Sequence, residues 1–188
     1  MIEIEIKLPL YKRSITERGL VEAGFVPGDL VRESDIYFTS DFHDFMKSDE
    51  ALRIRSSDNL TRRESHTYLT YKGRKLDQVS MTRKELETEI SSADEMRDIF
   101  LALGYRHLFP VTKLRQYYHL DRITACVDQV EGLGSFLELE ILAAGEEDRE
   151  EALQVLAGIL KQLDYGMEDT TRVSYLSMLL KKNGHPVL

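Results

Sequence analysis

The sequence contains a single cysteine, Cys126, which excludes an intramolecular disulfide framework and suits a reducing compartment. It has only four prolines and eleven glycines in 188 residues, and no Pro, Gly or Ser stretch divides it. No apolar run approaches the roughly 18 to 20 residues of a membrane-spanning helix. The first ten residues, MIEIEIKLPL, are interrupted by Glu3 and Glu5 and lack the continuous apolar core of a secretion signal. Excess positive charge is also missing. Twenty-five Lys and Arg stand against 33 Asp and Glu, a net charge of −8 with an isoelectric point near 5.2. Such a molecule repels polyanions as a whole, so neither a nucleic acid nor a membrane is expected as a partner. A local basic groove inside an acidic shell is not excluded by that sum. A cytoplasmic protein is expected. Its 42% apolar and 31% charged content is ordinary for a globular chain, and its length fits one domain over residues 1–188, at roughly 150 residues per domain.

What is present is two-residue alternation, the signature of strands. Ile2, Ile4, Ile6 and Leu8 share one face of the first segment, opposite Glu3, Glu5 and Lys7. The same pattern predicts strands at 2–8, 31–39, 50–57, 66–72, 79–90, 111–120, 123–129 and 135–142. Ser14-Ile15-Thr16-Glu17 and Ser92-Ala93-Asp94-Glu95 read as capping boxes, opening helices that stop at Gly24 and Gly104. A third helix is expected over about 147–163, with Leu153, Leu156, Leu160 and Leu163 on one side, and a fourth over about 170–182. An acidic alternating strand, a capped helix and a Gly-aromatic stop occur twice (Gly24-Phe25 and Gly104-Tyr105), which suggests a duplicated unit in one antiparallel sheet. The class is α+β.

The charges of these strands fall on one face. Lys7, Arg53, Arg55, Lys72, Arg83, Lys113 and Arg115 share it with Glu3, Glu5, Glu85, Glu87, Glu89, Asp128, Glu138 and Glu140. One reading is a sheet with one solvated face and one packed on helices. The other follows from the grouping by sign, Arg-x-Arg and Lys-x-Arg on some strands and Glu-x-Glu on others. Like charges two residues apart lie within about 7 Å, and each pair needs an opposing charge. If the sheet closes, these groups line its interior, where unpaired ions cost several kcal/mol each. Arg and Lys suit phosphate oxygens, and grouped carboxylates suit a hard cation such as Mg²⁺ or Mn²⁺. Together they suggest a metal-bound polyphosphate.

The segments Glu3-Ile4-Glu5-Ile6-Lys7, Asp35-Ile36-Tyr37-Phe38, Glu50-Ala51-Leu52-Arg53-Ile54-Arg55, Tyr68-Leu69-Thr70-Tyr71-Lys72-Gly73, Thr82-Arg83-Lys84-Glu85-Leu86-Glu87 and Asp128 through Glu140 resemble, over about residues 1–180, the CYTH superfamily of triphosphate tunnel metalloenzymes. Within it, they are closest in pattern to the class IV adenylyl cyclase branch. The resemblance implies a closed eight-stranded antiparallel β-barrel forming a tunnel, with flanking helices, and a metal-dependent reaction on a triphosphate. It implies triphosphate binding by Lys7, Arg53, Arg55, Lys72, Arg83, Lys113 and Arg115, with Lys7, Lys72 and Arg83 as the catalytic residues. It implies metal ligation by Glu3, Glu5, Glu138, Glu140 and Asp128, and a supporting acidic wall of Glu85 and Glu87. Asp128, Glu85 and Glu87 serve on this reading either a second metal or the orientation of the basic residues. The cofactor is Mg²⁺ or Mn²⁺. The expected reaction is conversion of ATP to cyclic AMP and pyrophosphate. The alternatives are hydrolysis of tripolyphosphate, thiamine triphosphate or a nucleoside triphosphate, and, third, non-catalytic polyphosphate or nucleotide binding. A homodimer is expected, as related cyclases are often dimeric.

Other features carry less. His43, His66, His107, His119 and His185 lack metal-ligand spacing. Cys126 reads as a packing residue. Gly132-Leu133-Gly134 is a turn, not a dinucleotide fingerprint. Glu146 to Glu151 is an acidic helix start that suits the helix dipole. The loop Phe42-His43-Asp44-Phe45-Met46 is open to three readings: a packed loop, a lid or a dimer contact.

Overall fold

A computed structural model describes residues 2–76, 79–143 and 145–184. The alternating segments form strands β1 (Ile2–Leu10), β2 (Val26–Thr39), β3 (Ala51–Asn59), β4 (Glu64–Lys75), β5 (Arg83–Glu89), β7 (Val111–Leu120), β8 (Ile123–Val130) and β9 (Gly134–Ala143). Between β5 and β7 lies a two-residue strand, β6 (Arg106–His107), on the edge of β2. The eight long strands pair antiparallel in the order β3-β4-β5-β1-β9-β8-β7-β2, and β2 pairs back to β3. The sheet is therefore a closed barrel. Exchanging β1, β2, β3 and β4 for β5, β7, β8 and β9 leaves that circular order unchanged, so the repeat seen in the sequence is also a repeat of topology. The β1–β5 seam is the thinnest, with Glu3 opposite Arg83 and the Met81 amide donating to the Glu5 carbonyl at 2.9 Å.

Closure turns the usual arrangement inside out. The apolar residues of β1, β8 and β9 point outward and are largely covered by helices, whereas Leu86 of β5 stays exposed. Ile4, Ile6, Leu8, Leu137, Leu139 and Ile141 pack with Leu20 of α1 (Arg13–Glu22) and with Leu156 and Leu160 of α3 (Arg149–Gln162), all essentially without solvent contact. Burying each such side chain contributes roughly 1.5–3 kcal/mol. A second cluster seats α4 (Tyr175–Lys182) through Tyr175, Leu176, Leu179 and Leu180 on Val111, Val130 and Phe136. The charged face, by elimination, points inward.

Several boundaries differ from the sequence reading for identifiable reasons. The strand expected from 31 begins at Val26, because pairing with β7 carries it through a bulge between Pro27 and Leu30. The one expected from 79 begins at Arg83, because the Ser80 hydroxyl accepts from the Thr82 amide at 3.2 Å and bends the chain there. Ser14 is not a helix cap. Helix α1 starts at Arg13 behind Lys12 with no side-chain cap, and Glu17, which a capping box would need, is engaged by Arg13 Nε at 2.8 Å. Of the second box only the N-cap half is present: Ser92 caps α2 (Ala93–Ala102) by accepting from the Glu95 amide at 3.1 Å. Gly24 and Gly104 end α1 and α2 with φ of 97° and 88°, a conformation that glycine adopts without strain. The last helix starts at Tyr175, not near 170, with Ser174 as its cap.

Ser92→Ala is expected to cost about 1 kcal/mol in chemical denaturation, the ordinary loss for an N-cap. Ser14→Ala is expected to fall within about 0.5 kcal/mol of the parent, as for surface changes away from such features. Equal costs for the two variants would contradict the assigned caps.

A charged tunnel as the candidate functional site

The barrel encloses a cavity of about 580 Å³ lined by nine basic and nine acidic side chains. Its charges are sorted. On one wall, β3 supplies Arg53 and Arg55 and β7 supplies Lys113 and Arg115, all facing acids from neighbouring strands. Asp35 on β2 accepts from Arg55 Nε and Nη2 at 2.7 and 2.8 Å, and Glu33 lies 3.0 Å from Arg55 Nη1. Asp128 on β8 accepts from Arg115 Nε and Nη2, both at 2.7 Å, and from Lys113 Nζ at 3.2 Å. Arg115 also meets Glu138, which lies 3.2 Å from Lys7. These end-on, two-bond pairs are the strong form of the interaction. Burial alone would raise Asp35 and Glu138, but Arg55 and Arg53 outweigh it at Asp35, and Arg115, Lys7 and Lys113 at Glu138, so both stay below the usual carboxylate range.

The remaining cations are held less completely. Arg53 reaches Asp35 at 3.4 Å and Glu85 at 3.8 Å, and its Nε has no hydrogen-bond partner although buried. Lys72 sits between Glu85 at 2.7 Å and Glu3 at 3.8 Å. Arg83 donates through Nη1 to the carbonyls of Gly73 at 3.1 Å and Asp49 at 3.3 Å.

A carboxylate cluster lies across the tunnel. Glu3 and Glu5 of β1 and Glu140 of β9 offer oxygens within 4.8 Å of one another. Glu5 and Glu140 are direct cross-strand partners, an arrangement that is unfavourable for like charges. Burial pushes Glu3 up to about 7, with Glu5 and Glu85 adding to it and Lys72 opposing. Burial likewise pushes Glu140 up to about 8, reinforced by Glu3, Glu5 and Glu138 against Arg115. Three converging oxygen donors short of counter-charge fit a hard divalent cation, so the residues present suit Mg²⁺ or Mn²⁺.

A closed barrel with such a lining has known relatives. The CYTH domain matches residues 1–175, and a protein of Methanocaldococcus jannaschii named "Putative adenylate cyclase MJ0240" is 38% identical over 95% of this chain and 98% of its own. The chain belongs to the CYTH domain family. Among solved structures, the PH1819 protein of Pyrococcus horikoshii superposes with a TM-score of 0.87 at 36% identity, over 96% of this chain and 99% of the other. A Hippeastrum protein, named "Putative adenylyl cyclase HpAC1" and described as having a dominant triphosphatase activity, has the same fold with a TM-score of 0.64. It is 19% identical over 98% of this chain and 96% of its own.

In this CYTH domain, Lys7, Arg53, Arg55, Lys72, Arg83, Lys113 and Arg115 all line the cavity, as do Glu85 and Glu87. Glu87 accepts from Thr70 Oγ1 at 2.8 Å. Of the acids expected at a metal, Glu3, Glu5 and Glu140 are brought together, whereas Glu138 is engaged by Lys7 and Arg115. Asp128 is fully buried behind Lys113 and Arg115, the orienting role left open in the sequence. Glu89, at the end of β5, is exposed and meets His66 at 2.6 Å, and it does not line the cavity. The roles of Glu33 and Asp35 escaped the sequence reading, although with Tyr37 they alternate along β2 as the other charges do. Tyr175 escaped it because its helix lies outside the barrel. No histidine lines the cavity among the described residues, and His185 lies outside them. Burial raises the Cys126 thiol well above its ordinary range, which leaves it inert at neutral pH. Gly132 and Gly134 shape the β8–β9 turn with φ of 78° and 109°. In the loop 42–46, Phe45 is buried and Met46 lines the cavity, while Phe42 stays exposed against Tyr105.

The raised carboxyls fix a direction for stability. A group whose pKa is higher folded than unfolded binds more protons in the folded state, so its contribution is complete below about pH 4.5 and is lost as pH rises through the folded value. Glu3 and Glu140 therefore weaken the metal-free protein as pH rises from about 4.5 to about 8. The depressed Asp35 and Glu138 act oppositely, losing their contribution below about pH 4. The thermal midpoint without metal is expected to fall from pH 6 to pH 9, and Glu140→Gln is expected to flatten that fall. A midpoint that rises over this range would contradict the assignment.

Proposed function

We propose that this protein is a metal-dependent enzyme acting on a triphosphate, with ATP converted to cyclic AMP and pyrophosphate as the leading reaction. The observation that carries this reading is the juxtaposition, inside one barrel cavity, of the Glu3–Glu5–Glu140 cluster and a basic wall. With nine basic and nine acidic side chains in the lining, the cavity has little excess positive charge to neutralise a triphosphate. Added cations must supply it, which accounts for a metal-dependent family. The 38% identical relative carries an adenylate cyclase name, and the cavity falls within the roughly 300–1,000 Å³ typical of small-molecule sites.

On this reading Lys7, Arg53, Lys72 and Arg83 take phosphate oxygens: Arg53 meets acids only at 3.4 and 3.8 Å, Arg83 is bonded chiefly to backbone carbonyls, and Lys7 and Lys72 flank the carboxylate cluster. Arg55, Lys113 and Arg115 complete the same wall under restraint from Asp35, Asp128 and Glu138. Glu3, Glu5 and Glu140 hold the cation, with Glu138 beside them and Asp128 behind. Lys72, between the cluster and Glu85, and Lys7, beside Glu138, stabilise the charge that develops as the 3′-hydroxyl oxygen bonds to the α-phosphorus and the bond to pyrophosphate breaks. A divalent cation supplies charge neutralisation and lowers the pKa of the attacking hydroxyl. No side chain in the lining stands out as a separate general base. A cytoplasmic location accompanies this reading, in keeping with the one buried cysteine. A homodimer of one-domain subunits is also part of it, to be checked by solution scattering.

Hydrolysis at the terminal phosphorus is the second reading, favoured by the triphosphatase activity described for the Hippeastrum protein of the same fold. The same lining serves both reactions, which differ in substrate register and in whether water attacks.

Incubation with ATP and Mg²⁺ or Mn²⁺, followed by product analysis, is expected to give cyclic AMP and pyrophosphate in equal amounts. Orthophosphate without cyclic AMP would instead establish the hydrolase. No turnover of ATP, GTP, tripolyphosphate or thiamine triphosphate would leave a binding protein and refute both. Glu140→Gln is expected to reduce turnover at least 100-fold with either substrate class, the scale of losing a principal charge-stabilising group.

A further inference from the structure

Tyr175 is delivered to the tunnel from outside the barrel. It is the first residue of α4, held by the Ser174 cap and by the preceding extended segment, whose Thr171 amide donates to the Lys7 carbonyl at 2.7 Å. Its ring packs edge-on against Phe136, with centroids 4.9 Å apart, and is 7% exposed. Lys7 Nζ stands 4.1 Å from the ring centroid and Lys113 Nζ 5.4 Å from it. The Tyr175 hydroxyl donates to Asp128 Oδ2 at 3.0 Å, the oxygen that also accepts from Lys113 and Arg115. One side chain thus touches two lysines of the basic wall and the carboxylate that anchors a third cation.

We propose that Tyr175 is a positioning residue for triphosphate binding. Its ring holds the Lys7 and Lys113 ammonium groups together at this end of the tunnel, and its hydroxyl fixes Asp128 so that Lys113 and Arg115 keep their orientation. The inference rests on the triphosphate reading above. The physical case is the mutual repulsion of two ammonium ions near one point. Glu138 and Glu33 offset it from the sides, at 3.2 Å from Lys7 and Lys113 respectively, and the negative face of an aromatic ring offsets it from below. A ring attracts cations without presenting a carboxylate that would repel the incoming phosphate. The pair is therefore held near its binding position before the ligand arrives, which lowers the ordering cost of binding.

The two functions of the side chain separate by substitution. Tyr175→Phe keeps the ring and loses the hydroxyl, whereas Tyr175→Leu keeps an apolar contact for Phe136 and loses the ring. Leu180→Ala, in the same helix but facing the core, is the control for loosened packing. The probe is inorganic tripolyphosphate with Mn²⁺, measured by titration calorimetry beside thermal midpoints. Tyr175→Leu is expected to bind at least ten-fold more weakly than the parent, and Tyr175→Phe within about five-fold of it. Leu180→Ala is expected to bind as the parent does despite a lower midpoint. Binding by a folded Tyr175→Leu within two-fold of the parent would overturn the role of Tyr175 alone, as would an affinity loss in Leu180→Ala equal to that of Tyr175→Leu. If Tyr175→Leu does not fold, Tyr175→Phe decides through the ring, and a loss of ten-fold or more there would overturn its assigned part. A parent protein that binds no tripolyphosphate would overturn the proposed function and this role with it.

Discussion

The structure depends on mutual neutralisation of buried charge. Arg55 and Arg115 are each clasped end-on by a buried aspartate, Asp35 and Asp128, on the adjoining strand. Without these partners the guanidinium groups would stand desolvated inside a barrel whose outer face is already committed to the helices. Removing one member of a buried pair leaves the other uncompensated, a loss of roughly 3–5 kcal/mol. The pairs thus let a sheet close around charge, and closure sets the acids of β1 and β9 across the tunnel from the bases of β3 and beside that of β5.

The same principle sorts the carboxylates of the tunnel. Where every base has a close acid, as at Arg115, the carboxylates are held low. Where burial is not offset by enough nearby bases and other acids crowd in, as at Glu3 and Glu140, the carboxyls are pushed up toward neutrality. On the proposed function, a cation at the cluster would relieve that frustration, and a polyphosphate would relieve the complementary one at Arg53, whose buried Nε has no hydrogen-bond partner. Metal and triphosphate then reinforce each other, since each supplies the charge that the other lacks.

Much of this was legible in the sequence because strand parity is strict. Once Ile4, Ile6 and Leu8 are assigned to a packed face, Glu3, Glu5 and Lys7 must share the other, and the same holds for Arg53 with Arg55 and for Glu138 with Glu140. Parity alone does not say whether that face meets solvent or closes on itself. The family resemblance pointed to closure, and the β2–β3 pairing supplies it. Finer features depend on tertiary context. The difference between Glu138, paired with bases, and Glu140, clustered with acids, arises from the barrel's register, although the two are neighbours on one face. Ser14 satisfied a local capping rule that a rival pair, Arg13 with Glu17, overrode. Tyr175 enters the tunnel from a helix that packs outside it, a placement with no local signature.

The central claim is that one enclosed tunnel holds cation and polyphosphate together, with Glu3, Glu5 and Glu140 on the cation. Anomalous diffraction at the manganese edge, from crystals grown with Mn²⁺ and a non-hydrolysable ATP analogue, tests it most directly. The account predicts a manganese peak bounded by those three carboxylates, with phosphate density between it and Lys7, Arg53, Lys72 and Arg83. Manganese confined to the outer surface, or an analogue bound outside the barrel, would contradict it.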